Sequence, residues 1–493
     1  MKLRKIFLNF LLQNQNPGQI VFKNVFWLLS AEVLSGIFKL LLFILSARIL
    51  GSENYGRFSF ALAFVGLFLF LADFGLNQIL TRELSKFPEK EQEIKAFLAL
   101  KIFLALFTSF LIFSFSFFIT KDPVSRLAIY ILGAMILVHS FGELFFSVLR
   151  ARQRMEIESF VRIFESFLTT SLGIFILFKI PSVFALSFVY FLGASSAVLI
   201  LAFYFHKKIA PLGLDFNFSL WKKLIASCWP LAFVGIFAMI YNQIDSVMMG
   251  FWNQLEATGF YNAAYRLVGA LMIPAALLGQ AFFPQLALAV KRGKEEFQKV
   301  WDRLFQFSFF FGLPLAVGGF FTAKKIIVDF LYGESFLPSV FAFQILILMA
   351  GVFYLNNSFS RLLVAKNLQK KNFWIAFWGA LFNIGANFYF IPKYSLYGAA
   401  FTTLATFVLM LFLFWFEARK IEQLKIFSPS SKKFFIDVFF ASFLMGLVLR
   451  TALLQKGNIF LVVIFGLLIY LIAFYFLNKI TKFLNLDRVF SFC

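Results

Sequence analysis

Glu32, Ser35 and Lys39 stand at i, i+3 and i+7 of an apolar stretch, so a helix there sets all three on one face. Further along, Asn242, Gln243 and Asp245 lie close together in a second such stretch, while Asn262 and Arg266, and again Asn357 and Arg361, repeat an i, i+4 spacing that also defines a single face. A third group, His139, Glu143, Arg162 and Glu165, and a lone Asp73 near Gly75 and Asn77, complete the set. Ionised groups inside apolar segments are costly to keep and are functional candidates by default. Lys39 and Arg266 together offer donors for an anion stripped of its water. Glu143 with Arg162 reads as an inter-helix pair that packs, with proton coupling as the alternative. Asp73 suits either a sodium or proton site or a helix cap.

The elements that must position these groups are membrane spans. Of 493 residues 61% are apolar, 14% are charged and 79 are Phe, with a mean hydropathy of +0.85. A soluble globular domain does not have that composition. A helix needs about 20 apolar residues to cross the hydrocarbon, and fourteen candidates follow: 24–46, 58–80, 96–119, 126–148, 159–178, 183–205, 224–250, 260–285, 303–322, 338–360, 373–391, 396–416, 434–454 and 459–477. With the amino terminus inside, and with Lys101, Arg126, Arg303 and Arg450 near span ends counted with the adjoining segments, the cytoplasmic segments carry 33 Lys or Arg and the outside loops 10, leaving Lys39, Arg162 and Arg266 deeper within spans. That asymmetry predicts two cytoplasmic termini and accounts for the net charge of +22 without nucleic acid.

The loops exclude other chemistry. The longest, near 206–222 and 417–433, are too short to fold as catalytic heads. There is no G-x-x-x-x-G-K-[ST] motif, no H-E-x-x-H and no Cys/His cluster; His139 and His206 are the two histidines, and Cys228 and Cys493 the two cysteines. No cofactor or metal is expected. The amino-terminal MKLRKIFLNFLLQNQNPGQ lacks a cleavage site and reads as an uncleaved cytoplasmic segment with Lys2, Arg4 and Lys5 at the headgroups.

Internal repetition organises the spans. A shift of 203 lays Glu53, Gly56, Ala61, Val65 and Gly66 on Glu256, Gly259, Ala264, Val268 and Gly269; a shift of 214 lays ARQRMEIES at Ala151 on AKNLQKKNF at Ala365; and a shift of 211 pairs Ile180-Pro181 with Ile391-Pro392, each expected in a short outside turn. The expected fold is an all-α polytopic membrane protein. It has a segment 1–21, a six-span bundle 22–205, a linker 206–222, a homologous and parallel six-span bundle 223–417, and two further spans with a tail in 418–493. Between the first two spans, Gly51 ends one helix, Ser52 caps the next and Gly56 allows close helix approach.

ARILGSENYGRFSFA followed by LADFGLNQILTRE, and then IDSVMMGFWNQLEATGFYNAAYRL from Ile244 to Leu267, resemble the polysaccharide transporter family of Wzx-type lipid-linked oligosaccharide flippases. This family shares a superfamily with multidrug extruders and the peptidoglycan-precursor flippase. The resemblance implies two bundles facing a central cavity, lined by the first two spans of each bundle, which include those that carry Glu32, Lys39, Asn242, Asp245, Asn262 and Arg266; Asn357 and Arg361, on a further span, are cavity candidates by their spacing. It also implies a polyprenyl-pyrophosphate-linked oligosaccharide as substrate, with membrane lipids, a polysaccharide polymerase and glycosyltransferases as partners. On that reading Lys39 and Arg266 face the pyrophosphate; the alternative pairs Asp245 with Arg266 and Glu32 with Lys39. Asp73 and Glu143 are the coupling-ion candidates, and Pro230 and Pro274 the expected hinges. A cation-coupled drug exporter on the same fold is the competing function.

Overall fold

The computed structural model describes residues 14, 16–87, 93–209, 213–421, 424–451 and 457–483. They are mostly helical, with no strand among the described residues. Lys2, Arg4, Lys5 and Cys493 lie outside them. Ten helical stretches among the described residues are long and apolar enough to cross a membrane.

The chain divides into two compact units, Met1–Gly259 and Phe260–Cys493. In the first, Asn16 caps the N-terminus of α1 (Pro17–Leu67), accepting from the Gln19 amide at 2.9 Å, with Pro17 at the first position. Gly51, at φ 72° and ψ 172°, breaks α1 where the sequence required it. The break holds through charge: Arg57 bonds Glu53 at 2.7 Å, Asn54 at 2.7 Å and Asp122 at 3.2 Å. Asp122 in turn caps the helix that begins at Pro123, accepting from the Ser125 amide at 2.8 Å. The chain then continues through two short pieces, α2 (Leu69–Asp73) and α3 (Leu76–Lys86). They are separated by Phe74 and Gly75, both in the left-handed region at φ 49° and 79°.

Next come α4 (Ile94–Ile119), α5 (Pro123–Ala151), α6 (Met155–Lys179), α7 (Val183–Lys208) and α8 (Phe218–Phe251). Leu80, Phe97, Leu144, Phe145, Leu201 and Cys228 form a buried core that binds α3, α4, α5, α7 and α8. Cys228 is therefore an interior thiol. Pro230 lies in α8 but outside the residues whose side chains are described.

The start of α9 (Leu255–Arg292) belongs to the first unit, and the rest of it opens the second. The second unit continues with α10 (Lys294–Lys324), a π-helical turn Lys325–Tyr332, α11 (Pro338–Ala365), α12 (Gln369–Arg419), α13 (Pro429–Leu449) and α14 (Ile459–Phe483). Its core gathers Trp301, Phe305, Phe359 and Leu363, and a smaller cluster around Met445 and Tyr470 seats α13 and α14. Large apolar side chains on the outer faces, such as Phe110, Phe118, Phe203 and Phe460, are exposed. In a membrane protein such faces meet lipid.

Two turns recur 214 residues apart in full detail. At the first, the amides of Arg152, Gln153 and Arg154 donate to the carbonyls of Val148, Arg150 and Leu149; at the second, those of Lys366, Asn367 and Leu368 donate to Leu362, Val364 and Leu363. Gln153 (φ 56°) and Asn367 (φ 59°) occupy the left-handed position in each. The third expected correspondence is corrected by the structure. Ile180 and Pro181 do lie between helices, but Ile391 is buried and Pro392 sits inside α12; the break falls at Ser395, φ 52°. Ser395 is 214 residues from Pro181, so one offset covers both features and the 211 alignment was three residues out of register.

Candidate functional site

Each carboxylate expected to couple an ion has a cationic partner in the first unit. The interruption between α2 and α3 opens on a cavity of about 330 Å³ lined by Asp73, Asn77, Lys101, His139, Glu143 and Met239, among others. Lys101, fully buried on α4, donates to Asp73 at 2.9 Å. Glu143 takes Arg162 at 2.5 Å and Arg150 at 3.5 Å; Glu158, also fully buried, takes Arg150 at 2.5 Å and Arg162 at 3.0 Å. Four groups thus close a ring of alternating sign, and the Arg162 guanidinium lies over the Phe146 ring at 4.5 Å. The expected Glu143–Arg162 pair forms, and the arrangement ties α5 to α6.

The charges on α1 behave differently. Glu32 and Lys39 are both exposed and, among the described residues, neither makes a hydrogen bond or an ion pair. The Glu32–Lys39 pairing alternative is therefore not what the structure shows. Ser35 does not share their surroundings: it is buried and donates to the Arg162 carbonyl at 3.2 Å. Lower on the same helix, buried Lys23 binds Asn14 at 2.6 Å, the Gln153 carbonyl at 3.2 Å and Glu156 at 2.8 Å, anchoring α1 to the α5–α6 turn. On α8, Asn242 is exposed and Asp245 buried.

In the second unit, Asn262 is buried and Arg266 half-buried on α9. Pro274 lies within that helix, where its ring disrupts the hydrogen-bond ladder of the preceding turn. The neighbouring carbonyls are taken by α11: the Tyr354 hydroxyl donates to Leu271 at 3.2 Å and the Asn357 amide to Ala275 at 2.5 Å. Asn357 is thus a brace for the proline-containing segment. Arg361, one turn on, packs against Gly279; a Cβ on Gly279 would overlap the Asn357 amide and stand 3.1 Å from the Arg361 Nε. Arg361 is half-buried and makes no hydrogen bond or ion pair among the described residues. Removing the brace with Asn357→Ala is expected to lower stability by about 1–2 kcal/mol, with Tyr354→Phe costing less. Unchanged melting temperatures for both variants in detergent would show that the kinked segment needs neither partner.

Beside the brace lies a cavity of about 910 Å³, walled by α9, α10, α11, α13 and α14 through residues such as Leu271, Pro274, Phe310, Tyr354, Met445 and Tyr470. Its hydroxyls are spoken for, since Tyr470 donates to the Phe310 carbonyl at 2.9 Å and Tyr354 to Leu271. The walls accept apolar matter.

Sequence reasoning passed over three groups. Lys101 reads as a cytoplasmic charge in the sequence, yet it is buried on α4 and paired with Asp73. Glu158 and Arg150 were read as loop residues. The neutral ladder of α12 carried no charge to draw attention: the Asn383 amide donates to Thr406 at 3.3 Å, Asn387 to Asn383 at 3.1 Å, and Thr402 to Asn387. The i, i+4 spacing of Asn383 and Asn387 was the available signal.

The fold is that of membrane transporters of the multidrug/oligosaccharidyl-lipid/polysaccharide superfamily. It matches the lipid II flippase MurJ in an inward closed conformation with a TM-score of 0.76 at 16% identity, covering 93% of this chain and 99% of that one. An inward-facing multidrug resistance MATE family transporter of the same superfamily matches with a TM-score of 0.65 at 15% identity, covering 81% and 96%. The chain belongs to the polysaccharide biosynthesis protein family, whose model matches residues 21–290. Among curated relatives, the capsular polysaccharide biosynthesis protein CapF of Staphylococcus aureus is 24% identical over 419 residues, 80% of this chain and 99% of the relative. An uncharacterized membrane protein of Methanocaldococcus jannaschii is 24% identical over 433 residues, 81% and 84% of the two chains.

Proposed function

We propose that the protein carries a polyprenyl-pyrophosphate-linked oligosaccharide from the cytoplasmic to the outer leaflet of the inner membrane by alternating access, for cell-surface polysaccharide assembly. Both termini are cytoplasmic on this reading, fourteen spans cross the bilayer, and the two six-span halves are homologous and parallel, an arrangement known in transporters. The recurrence of the 153 and 367 turns supports the duplication. Lys39, Arg266 and Arg361 bind the pyrophosphate, and Asn242, Asn262 and Asp245 meet the sugar. A polymerase and glycosyltransferases act before and after it.

The observation that carries this reading is Arg361, which makes no hydrogen bond or ion pair among the described residues, on a helix that also walls a large apolar cavity through Tyr354, a combination that suits an anionic headgroup joined to a hydrocarbon chain. The coupling carboxylates Asp73 and Glu143 line a cavity of the first unit. Glu32, exposed and without an ion pair among the described residues, favours the second reading, export of an organic cation. Deleting the protein from its host separates the two. The flippase reading expects lipid-linked oligosaccharide to accumulate on the cytoplasmic leaflet, shielded from a glycosidase added outside, with loss of surface polysaccharide. Normal surface polysaccharide together with new sensitivity to cationic drugs would establish export instead.

A further inference from the structure

The cavity at the break between α2 and α3 is walled by hydrogen-bonding side chains that are largely unused. Asp73, before the left-handed pair Phe74 and Gly75, and Asn77 and Gln78, after it, line the same space of about 330 Å³. Asn77, Gln78 and His139, three planar polar side chains in its wall, make no side-chain hydrogen bond among the described residues, and the Asn77 Oδ1 is buried. A buried acceptor in that condition is unfavourable until something meets it. Lys101 donates to Asp73 Oδ1 at 2.9 Å, which uses one of the three donors of an ammonium, and Asp73 Oδ2 accepts nothing among the described residues. Phe70 lines the cavity and forms no ring pair among the described residues, whereas Phe64 and Phe68, on the preceding turns, pack edge to face at 5.2 Å.

The charges in this wall cancel locally and do not select an ion. Lys101 offsets Asp73, and Arg162 and Arg150 offset Glu143. No group of three His, Cys, Asp or Glu among the described residues is placed to hold a metal. What remains is the capacity to donate and to accept at neighbouring points, and a hydroxyl group does both. Adjacent hydroxyls can donate to Asp73 Oδ2 and Asn77 Oδ1 while accepting from Lys101 and from the side-chain amides of Asn77 and Gln78. The C–H face of a sugar ring can rest on the Phe70 ring. The volume stands at the lower end of the roughly 300–1,000 Å³ of small-molecule pockets, which suits one sugar residue and not a prenyl chain.

We propose that this cavity is a sugar-binding subsite of the first unit, which holds one glycosyl residue of the cargo through Asp73, Asn77, Gln78, Lys101 and His139 with Phe70 against the ring. The proposal rests on the transport reading above, which supplies a cargo that contains sugar, and adds a place where that sugar is discriminated. A residue lacking one of the matching hydroxyls leaves a buried donor or acceptor unmade and is rejected. Cargo and coupling then meet at Asp73, the carboxylate that the same reading gives to the coupling ion.

The test measures binding and not transport. The full chain is purified in an amine-oxide detergent, so that no glycoside detergent competes, and saturation-transfer NMR is recorded with two kinds of probe. One is a set of simple methyl glycosides; the other is the oligosaccharide freed by mild acid from the host's prenyl-linked pool, which carries neither lipid nor pyrophosphate. Transfer is expected to the ring protons of one residue of the freed oligosaccharide. The Asn77→Ala, His139→Ala variant should bind it roughly tenfold more weakly, the effect of lost hydrogen bonds, and Phe70→Leu should weaken it as well. No transfer from either probe to the folded parent means that the cavity holds water only, and overturns the proposal. Binding that persists undiminished in the double variant places the sugar elsewhere and overturns it too. If the double variant fails to fold, Gln78→Ala, at an exposed position, and Phe70→Leu are measured in its place, and parental binding by both overturns the subsite. Failure of the transport reading shows separately, as normal surface polysaccharide after deletion, and leaves the binding measurement to decide the subsite alone.

Discussion

Glu158→Ala is expected to destabilise the first unit by about 3–5 kcal/mol, the range for removing one member of a buried ion pair. Glu158 is fully buried and holds both Arg150 and Arg162, so its loss leaves two guanidinium groups with only Glu143 between them. Stability comes less from the attraction than from avoiding an uncompensated charge in an apolar setting. Two further variants distinguish this from a packing defect. Adding Arg162→Leu to Glu158→Ala removes the excess cation and should recover a large part of the loss, whereas Glu158→Gln keeps the shape, removes the charge and should remain unstable. Thermal unfolding in detergent measures all three. A Glu158→Ala protein that melts with the parent would show that the ring of charges is not structural.

Neutralising a cation that holds substrate should act on transport and spare the fold. Arg361→Ala and Lys39→Ala are each expected to reduce headgroup binding by roughly tenfold to a hundredfold, the worth of a charge-assisted hydrogen bond of about 1.5–3 kcal/mol. Arg361→Lys should recover part of the Arg361 loss, because an ammonium cannot present the bidentate fork of a guanidinium. Because neither Lys39 nor Arg361 makes an ion pair among the described residues, their removal strands no carboxylate and melting temperatures should hold. Transport at the parental rate by a stable Lys39→Ala, Arg361→Ala double variant would remove the anion site and return the drug-export reading to first place.

Local geometry was legible wherever one residue type dictates it. Gly51 broke α1 because a residue without Cβ takes positive φ at little cost, and the Glu143–Arg162 pair followed from two opposite charges at one expected depth. Where the outcome depended on a partner from another span, the sequence was mute. Lys101 looks like a flanking cytoplasmic lysine until Asp73, 28 residues earlier, is brought against it. Ser35 shares its spacing with Glu32 and Lys39 but turns to the α6 backbone, since helical periodicity defines an angle and not what lies at that angle. Ser395 escaped notice for a related reason: a serine at φ 52° carries no glycine signature, whereas Pro392 three residues earlier drew the eye while remaining inside the helix. The candidate cavity residues were recognisable as unusual; which of them are braces, as Asn357 is, required the structure.

The interrupted helix also bears on how the chain is made. Asp73 ends the five-residue α2, and the eleven-residue α3 follows; each is shorter than the roughly 20 residues that span a bilayer. Left in lipid by themselves, these pieces present amides and carbonyls that no neighbouring turn accepts. The next helix to emerge from the ribosome carries Lys101, whose charge at membrane depth is itself unfavourable by about 2.5–3.5 kcal/mol on insertion scales. Each of the two segments is a poor passenger alone, and each holds what the other lacks. Pairing Lys101 with Asp73 offsets both costs at once, so the two segments are expected to enter a bilayer more cheaply together, as a hairpin, than either would alone.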